Sequence, residues 1–225
     1  EAEATARVAE QMGRVPARLG GALLGFQRRG VERLLRWGGR GLLADEMGLG
    51  KTVQAIACLA ALRPWPALLV VPASLRLMWA EELERWLAPS PLSRADVWLI
   101  AGSGDALHQD APTPKLVITS FRMATVLRTG LAERPWRAVV VDESHALSSR
   151  AEGATDAQQT EAVAALASRA AHLLLLSGTP SLSRPFCIYR QVEMLWPGLL
   201  GAGKWAYGRE YCATVHTAIG RAVPL

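Results

Sequence analysis

The chain has 225 residues, 50% hydrophobic and 20% charged, which is enough for one α/β domain with a sizeable core. Its net charge of +5 favours an anionic partner, but 25 Lys and Arg against 20 Asp and Glu is too mild an excess to indicate DNA by itself. Three Cys residues without metal-ligand spacing exclude a disulfide framework and a zinc site. No apolar run reaches the roughly 18 residues of a membrane span. The start of the chain also lacks a signal-peptide pattern, so we expect an intracellular protein without a membrane partner.

Short apolar runs alternate with longer helical patterns, which is typical of parallel βαβ units. Residues 1–11, rich in Ala and Glu, predict a solvent-facing helix, and residues 12–25 predict a linker. Strands are predicted at residues 41–44, 67–71, 97–100, 116–119, 138–141 and 172–176. Helices are predicted at residues 52–62, 75–87, 121–127, 156–170 and 186–195, with loops at 63–66, 89–93, 101–114 and 148–155. The expected fold is α/β, a mostly parallel central sheet with helices on both faces.

A Gly-rich stretch ending in Gly-Lys-Thr follows the first predicted strand and precedes an Ala-rich helical pattern, at residues 45–52. Glycines let backbone N–H groups and a helix N-terminus point at phosphate oxygens, while the Lys51 ammonium reaches the outer phosphates and the Thr52 hydroxyl can ligate Mg²⁺. The general phosphate-loop pattern has Gly where this chain has Asp45, and a turn that caps a helix is the simpler alternative. The strand-then-helix setting favours a phosphate-binding loop.

Two consecutive acids, Asp142 and Glu143, end the predicted buried strand 138–141. Ligand chemistry in a parallel sheet lies just past the carboxyl ends of the strands. We therefore expect Asp142 to hold Mg²⁺, directly or through its water, and Glu143 to orient and polarise an attacking water. An isolated Asp-Glu pair is more often a helix cap with a first-turn acid. Its combination with the Gly-Lys-Thr loop favours phosphoryl transfer.

Six motifs follow one another in a fixed order along the chain. They stand at residues 26–30 (Phe-Gln-Arg-Arg-Gly), 43–56 (Leu-Ala-Asp-Glu-Met-Gly-Leu-Gly-Lys-Thr-Val-Gln-Ala-Ile), 70–75 (Val-Val-Pro-Ala-Ser-Leu), 117–121 (Val-Ile-Thr-Ser-Phe), 142–145 (Asp-Glu-Ser-His, a DEAH-like box) and 176–180 (Leu-Ser-Gly-Thr-Pro). In these motifs the chain resembles the first RecA-like lobe of the Swi/Snf-type superfamily-two ATPases, which translocate on double-stranded DNA. Asp-Glu-Ser-His, Pro-Ala-Ser-Leu-Arg followed by Trp79, and Ser-Gly-Thr-Pro-Ser-Leu-Ser-Arg-Pro resemble the annealing-helicase branch, which remodels stalled replication forks.

The resemblance implies a RecA-like P-loop domain over residues 23–212, with an extension or linker at 1–22 and a divergent tail at 213–225. It implies a nuclear, DNA-dependent ATPase that uses ATP and Mg²⁺, acts in DNA repair and binds double-stranded or forked DNA without sequence preference. The family's second RecA-like lobe, absent here, carries the arginines that reach the γ-phosphate. Such an arginine contributes roughly 10³ to 10⁵ in rate, so we expect weak ATP·Mg²⁺ binding and little turnover from this chain alone.

The resemblance also implies roles for individual residues. A Gln at position 27 would contact the adenine edge, because an amide offers both a donor and an acceptor. An exposed helical Gln is the alternative. His145, Ser177 and Thr179 would couple hydrolysis to lobe movement, whereas the alternatives are a structural His and a turn stabilised by hydroxyl groups. Nucleotide-binding residues would be Gln27, Asp45, Glu46, Met47, Gly48, Leu49, Gly50, Lys51 and Thr52, with Mg²⁺ held by Thr52 and Asp142.

DNA contacts are expected at Ser74 and Ser120, which follow two predicted strands and can direct hydroxyl and backbone N–H groups at phosphate oxygens. Both residues are equally good helix N-caps. Arg76 and Arg122 add positive charge or lie solvated at the surface. Contacts of this kind read the DNA backbone, so binding should depend strongly on salt.

Eight Trp residues are unusual for this length. Trp79 and Trp86, seven residues apart on one helical pattern, predict core packing, with a base-stacking platform as the alternative. For the whole chain, three further interpretations stay open: a catalytically weak nucleotide- and DNA-binding scaffold, a chromatin-remodelling ATPase, and a P-loop enzyme that acts on a small molecule.

Overall fold

The computed structural model describes residues 1–108, 111–147, 157–181 and 185–212, together with the backbone of 214–216 and 222–224. Its centre is a six-stranded sheet in the order β1-β6-β5-β2-β4-β3, in which every pair of neighbours is parallel. The strands are β1 (Arg40–Leu43), β2 (Ala67–Val71), β3 (Val97–Leu99), β4 (Leu116–Ser120), β5 (Ala138–Asp142) and β6 (His172–Leu176). The predicted parallel sheet is confirmed, and its strand limits differ from the prediction by at most one residue.

Helices cover both faces of the sheet and divide the core into two layers. The helices are α1 (Ala2–Gly13), α2 (Ala17–Ala22), α3 (Gly25–Arg36), α4 (Lys51–Leu62), α5 (Arg76–Leu87), α6 (Phe121–Val126), α7 (Arg128–Ala132), α8 (Gln158–Ser168), α9 (Tyr189–Leu195) and α10 (Lys204–Tyr211). One layer packs α1 to α5 on the sheet, and the other packs α6 to α9. Strand β2 contributes Leu69 and Val71 to the first layer and Leu68 and Val70 to the second, as the two-residue period of a strand requires.

Several helix predictions are refined by the structure. The predicted helix 75–87 starts with a 3₁₀ turn, Ala73–Leu75, and continues as α5. The predicted helix 186–195 is a 3₁₀ turn, Pro185–Ile188, followed by α9. Residue 156, the first of the predicted helix 156–170, and the predicted loop 148–155 lie outside the described residues. Helix α3 was not among the predicted elements, although it carries the first motif.

The N-terminal region packs against the domain. The helix predicted at residues 1–11 is present as α1, but its Val8 is buried in the first core layer. The stretch expected to be a linker contains α2, whose Leu19 is fully buried. Val15 and Leu23, which flank this six-residue helix, are buried with Leu19 in the first core layer. Two neighbouring glycines in α2 lower its helix propensity, and for this reason the sequence predicted a linker there.

The C-terminal region adds a small aromatic cluster and a separate pair of strands. Phe186 and Tyr189 pack with tilted rings against Tyr207 of α10, whose hydroxyl donates to the Pro185 carbonyl at 3.2 Å. Beyond α10, β7 (Thr214–His216) and β8 (Ala222–Pro224) pair with each other in antiparallel fashion. In the part of the chain that the structure describes, none of the helices has both the length and the apolar character that crossing a bilayer requires.

Candidate functional site

Three of the motifs leave the sheet side by side. Strands β1, β6 and β5 are neighbours, with Leu43 and Asp142 both in register with Leu176. Because parallel strands end at the same edge, residues 45–52, 142–145 and 177–180 emerge together. The contact expected between the acidic motif and residues 177–180 therefore follows from the topology.

The Gly-rich loop curls around the Lys51 ammonium. Gly48 and Gly50 have left-handed backbones, with φ of 84° and 75°, which glycine adopts without steric cost. Gly50 precedes α4, and no side chain of the described residues caps that helix N-terminus. Lys51 Nζ donates to the backbone carbonyls of Asp45 and Glu46 at 2.7 and 3.0 Å. An uncapped helix N-terminus beside a Lys ammonium is a site for phosphate groups.

The rest of the loop is open. Met47 and Leu49 are 78% and 42% exposed, and Glu46 is also exposed. Thr52 is half-buried as the second residue of α4. Gly178 approaches from the neighbouring motif, where a Cβ atom would lie 2.8 Å from Met47 Cγ and 3.5 Å from Lys51 Nζ. The segment 177–180 thus packs directly on the phosphate loop.

Asp45, the departure from the general loop pattern, has a structural partner. Its Oδ2 accepts a hydrogen bond of 2.8 Å from Nε2 of Gln54, a fully buried residue of α4. Gln54 is in turn in close contact with Gly30 of α3, where a Cβ atom would lie 2.3 Å from Gln54 Oε1. Sequence reasoning missed the role of Gln54, although its position three residues after Lys51 was a signal. These contacts explain why Asp stands at position 45 and Gly at position 30.

Gln27 joins the phosphate loop to the start of α3. Its Nε2 donates to the Leu49 carbonyl at 3.0 Å, and its Oε1 accepts from the Leu24 backbone N–H at 2.9 Å. Only 7% of Gln27 is exposed, so the alternative of an exposed helical Gln is wrong. One amide N–H and one oxygen lone pair remain for a ligand. The contact of Gln27 with adenine stays a prediction. The hydrogen bonds observed here give Gln27 a second role, which is to hold the phosphate loop against the start of α3.

The acidic pair sits at the end of β5 with each member fixed by hydrogen bonds. Asp142 is 7% exposed; its Oδ1 accepts from the Glu143 backbone N–H at 2.9 Å, and its Oδ2 accepts from the indole N–H of Trp79 at 2.8 Å. Glu143 has a left-handed backbone with φ of 51°, which is uncommon for a residue other than Gly. Such strain is typical of functional sites.

His145 connects Glu143 to the neighbouring motif. Its Nδ1 lies 3.0 Å from Ser177 Oγ and 3.1 Å from Glu143 Oε2. Ser177, which is fully buried, also accepts from the Thr179 backbone N–H at 3.1 Å. The three residues predicted to couple the motifs are therefore brought together, with Thr179 taking part through its backbone.

A second bridge between these motifs was missed by sequence reasoning. Gln191 of α9 is fully buried; its Oε1 accepts from the Ser144 hydroxyl at 2.8 Å and its Nε2 donates to the Pro180 carbonyl at 2.7 Å. No local pattern marks Gln191, because it lies 47 residues after Ser144 and 11 residues after Pro180. The acidic motif and residues 177–180 are consequently tied at two points.

The predicted DNA-contact residues lie farther along the same edge. Strands β2 and β4 are neighbours, with Val71 in register with Ser120. Ser120 is 4% exposed and caps α6 by accepting from the Met123 N–H at 3.2 Å, which confirms the cap interpretation. Ser74 is exposed in the turn before α5. Contact of either with DNA stays a prediction.

Of the two arginines expected nearby, Arg122 is exposed. Arg76 instead donates to the carbonyls of Ala73, Ile100 and Ala101 at 2.7 to 3.1 Å. It therefore joins the turn before α5 to the loop that follows β3. The core packing predicted for Trp79 is confirmed, and Trp86 is half-buried against the first core layer. Of the other Trp residues, Trp136 is buried, whereas Trp37, Trp98 and Trp196 are exposed.

The donor set fits a nucleotide with Mg²⁺. Each oxygen of Asp142 accepts one hydrogen bond, which leaves lone pairs for a cation, and the Thr52 hydroxyl is the second oxygen ligand that the sequence predicts. The uncapped N-terminus of α4 and the Lys51 ammonium suit phosphate oxygens. A parallel sheet, a phosphate loop and an acidic pair at one edge define a P-loop domain of RecA-like architecture.

Comparisons with known proteins identify the family. The model of the SNF2-related domain matches residues 26–205, and the chain belongs to this family. It is 36% identical over 204 residues to the human "DNA annealing helicase and endonuclease ZRANB3", covering 88% of this chain and 18% of that protein. It is 39% identical over 204 residues to the bovine "SWI/SNF-related matrix-associated actin-dependent regulator of chromatin subfamily A-like protein 1", covering 89% and 20%.

The solved structure of the Sulfolobus solfataricus SWI2/SNF2 ATPase core in complex with dsDNA has the same fold, with a TM-score of 0.68 at 24% identity. The match covers 88% of this chain and 40% of that one. The resemblance to Swi/Snf-type ATPases is confirmed, and the name of the human relative agrees with the predicted annealing-helicase branch. The chain spans about a fifth of the length of its curated relatives.

Proposed function

We propose that this chain is the ATP-binding lobe of a DNA-dependent ATPase, a DNA translocase of the annealing-helicase type that acts in replication-fork remodelling and DNA repair. The observation that carries the proposal is the convergence of the phosphate loop, the acidic pair and residues 177–180 at adjacent strand ends of an SNF2-related domain.

The residues divide the work of ATP hydrolysis. The N-terminus of α4 and Lys51 bind the phosphates, and Gln27 contacts the adenine. Thr52 and Asp142 would hold Mg²⁺, which would neutralise charge on the phosphate oxygens. Glu143 orients the attacking water and accepts its proton. Positioning and charge neutralisation are what phosphoryl transfer mainly requires.

The contacts of His145 link the acidic pair of the nucleotide site to the segment 177–180. One ring nitrogen lies within reach of both Glu143 and Ser177, so a proton on it can serve either partner. A change of charge at Glu143 therefore alters the hydrogen bond to Ser177, and with it the segment 177–180. In the full protein this segment would report hydrolysis to a second RecA-like lobe, which we propose supplies arginines to the γ-phosphate.

Double-stranded or forked DNA is the proposed partner. The exposed hydroxyl of Ser74 and the start of α6 at Ser120 lie at the edge from which the nucleotide motifs also emerge. Such groups contact phosphates and carry no sequence information. A protein that acts on replication forks works in the nucleus, which is therefore the proposed location.

The test is ATP hydrolysis with and without forked duplex DNA, for this chain and for the full-length protein, with Glu143→Gln as the inactive control. We expect strong DNA stimulation in the full-length protein and weak turnover with retained ATP binding in this chain. Absence of stimulation in both would favour a nucleotide-binding scaffold. Robust DNA-stimulated hydrolysis by this chain alone would contradict the need for a second lobe.

A further inference from the structure

The carboxylate of Asp142 is held by a side chain far away in the sequence. Trp79 lies in α5, is fully buried, and donates its indole N–H to Asp142 Oδ2 at 2.8 Å. Its ring packs in the first core layer, with Leu83 of the same helix and Val71 of β2 among the members of that layer. An indole N–H can only donate, and a buried one finds a partner; here the partner is the predicted Mg²⁺ ligand.

Two donors together determine the plane of this carboxylate. The terminal torsion of an Asp side chain is broad, so a carboxylate held at one oxygen can still rotate. Asp142 Oδ1 is held by the N–H of Glu143, and Oδ2 is held by Trp79. The first donor belongs to a residue with a strained backbone, whereas the second is embedded in the core. The position of the indole is therefore set by the core, independently of the chain next to Asp142.

We propose that Trp79 is a positioning residue for phosphoryl transfer: its indole N–H holds the Asp142 carboxylate in the orientation that binds the Mg²⁺ of ATP. The inference rests on the proposed function, since it assigns an outer-sphere role at the same metal site. Outer partners of metal ligands orient them, and their loss typically costs about 10- to 100-fold in metal affinity.

A second buried indole provides the matched control. Trp136 is 5% exposed and donates to the Leu131 backbone carbonyl at 2.7 Å. Both residues lose one buried N–H donor on substitution by Phe, but only one of these donors reaches the acidic pair. A purely structural role for Trp79 would make the two substitutions equivalent at the metal site.

The experiment titrates Mg²⁺ against ATP binding, followed by calorimetry, in wild type, Trp79→Phe, Trp136→Phe, Asp142→Asn and the double variant Trp79→Phe/Asp142→Asn. We expect Trp79→Phe to raise the Mg²⁺ concentration at half-maximal binding by about tenfold or more. Binding in EDTA should stay unchanged, and Trp136→Phe should leave the midpoint in place. Trp79→Phe should add nothing in the Asp142→Asn background, because its effect passes through that carboxylate.

A benzothienylalanine at position 79 removes the N–H while keeping the ring shape, so it serves if Trp79→Phe does not fold. A midpoint shift no larger than that of Trp136→Phe, or an equal shift added to Asp142→Asn, would overturn the inference alone. A wild-type protein whose ATP binding does not depend on Mg²⁺ would overturn the proposed function together with it.

Discussion

At the scale of single residues, the site depends on close contacts that leave no room for a methyl group. Gly30 touches the amide of Gln54, and that amide holds Asp45 at the start of the phosphate loop. A Cβ at position 30 therefore displaces Gln54 and loosens the loop. The glycine of the first motif is a packing requirement of the nucleotide site rather than a feature of helix geometry.

We expect Gly30→Ala to lower the free energy of unfolding by about 1–3 kcal/mol, the usual cost of overpacking, and to weaken ATP binding. Gly21→Ala is the control, because nothing lies within 4 Å of a Cβ there and Ala favours a helix by up to about 1 kcal/mol. For both variants, thermal unfolding measures the change in stability and ATP titration measures the change in affinity. Unchanged ATP affinity in Gly30→Ala would contradict the role of the Gln54–Asp45 contact.

Glu143 carries the prediction for chemistry. Glu143→Gln keeps the shape of the side chain and removes its charge, so ATP binding should persist while DNA-stimulated hydrolysis in the full-length protein falls about 10²- to 10⁴-fold, the usual contribution of a general base. The exposed Glu84→Gln is the control. Turnover that survives in Glu143→Gln would assign the base elsewhere.

At the scale of elements, the strands were predictable because β2, β4 and β5 are buried on both faces and begin with unbroken apolar runs. The phosphate loop and the acidic pair were predictable because each directly follows a predicted strand in the sequence. Helices α2 and α3 were not, because Gly-Gly and Arg-Arg-Gly interrupt their apolar patterns. Contacts such as Trp79 to Asp142 join distant segments, and no local spacing reports them.

Helix α4 offers a test of how tightly the phosphate loop is anchored. Seven consecutive residues of α4, from Ala55 to Ala61, are buried, including Cys58. Burial raises the pKa of the Cys58 thiol well above its ordinary value. The reactive thiolate is therefore suppressed in the folded state.

We expect a thiol reagent at pH 8 to label Cys58 only when the protein unfolds, and ATP·Mg²⁺ to slow that labelling because it stabilises the folded state. Because the folded-state pKa is raised, the contribution of Cys58 to stability is complete below the ordinary thiol pKa of 9.0 and diminishes above it. Mass spectrometry of labelled peptides identifies the site. Rapid labelling of native Cys58 would show that α4 opens locally.

At the scale of the whole molecule, the net charge of +5 and the common edge of the strand ends predict how DNA binds. Binding of duplex DNA should weaken linearly in log affinity against log salt concentration, and sequence should matter little. The affinity measured by fluorescence anisotropy over a salt series tests this. A flat salt response would argue against phosphate contacts.

Ser74→Asp tests the position of the DNA. A negative charge at this exposed turn should lower duplex affinity by about tenfold or more, because a hydrogen bond to a charged group contributes about 1.5 kcal/mol or more. ATP binding without DNA should not change. Thr129→Asp, exposed on α7 in the opposite layer, is the control. An equal loss in both variants would mean that only net charge matters.

The strand order also determines when the ATP site can exist during synthesis. Strand β1 lies at the edge of the main sheet and joins it through β6, the last of its strands to be made. At about 5–20 residues per second, β1 waits roughly 7 to 27 seconds for its partner. A nascent chain that ends before Leu176 therefore carries its phosphate loop on an unpaired strand, and the nucleotide site forms only after β6 has been made.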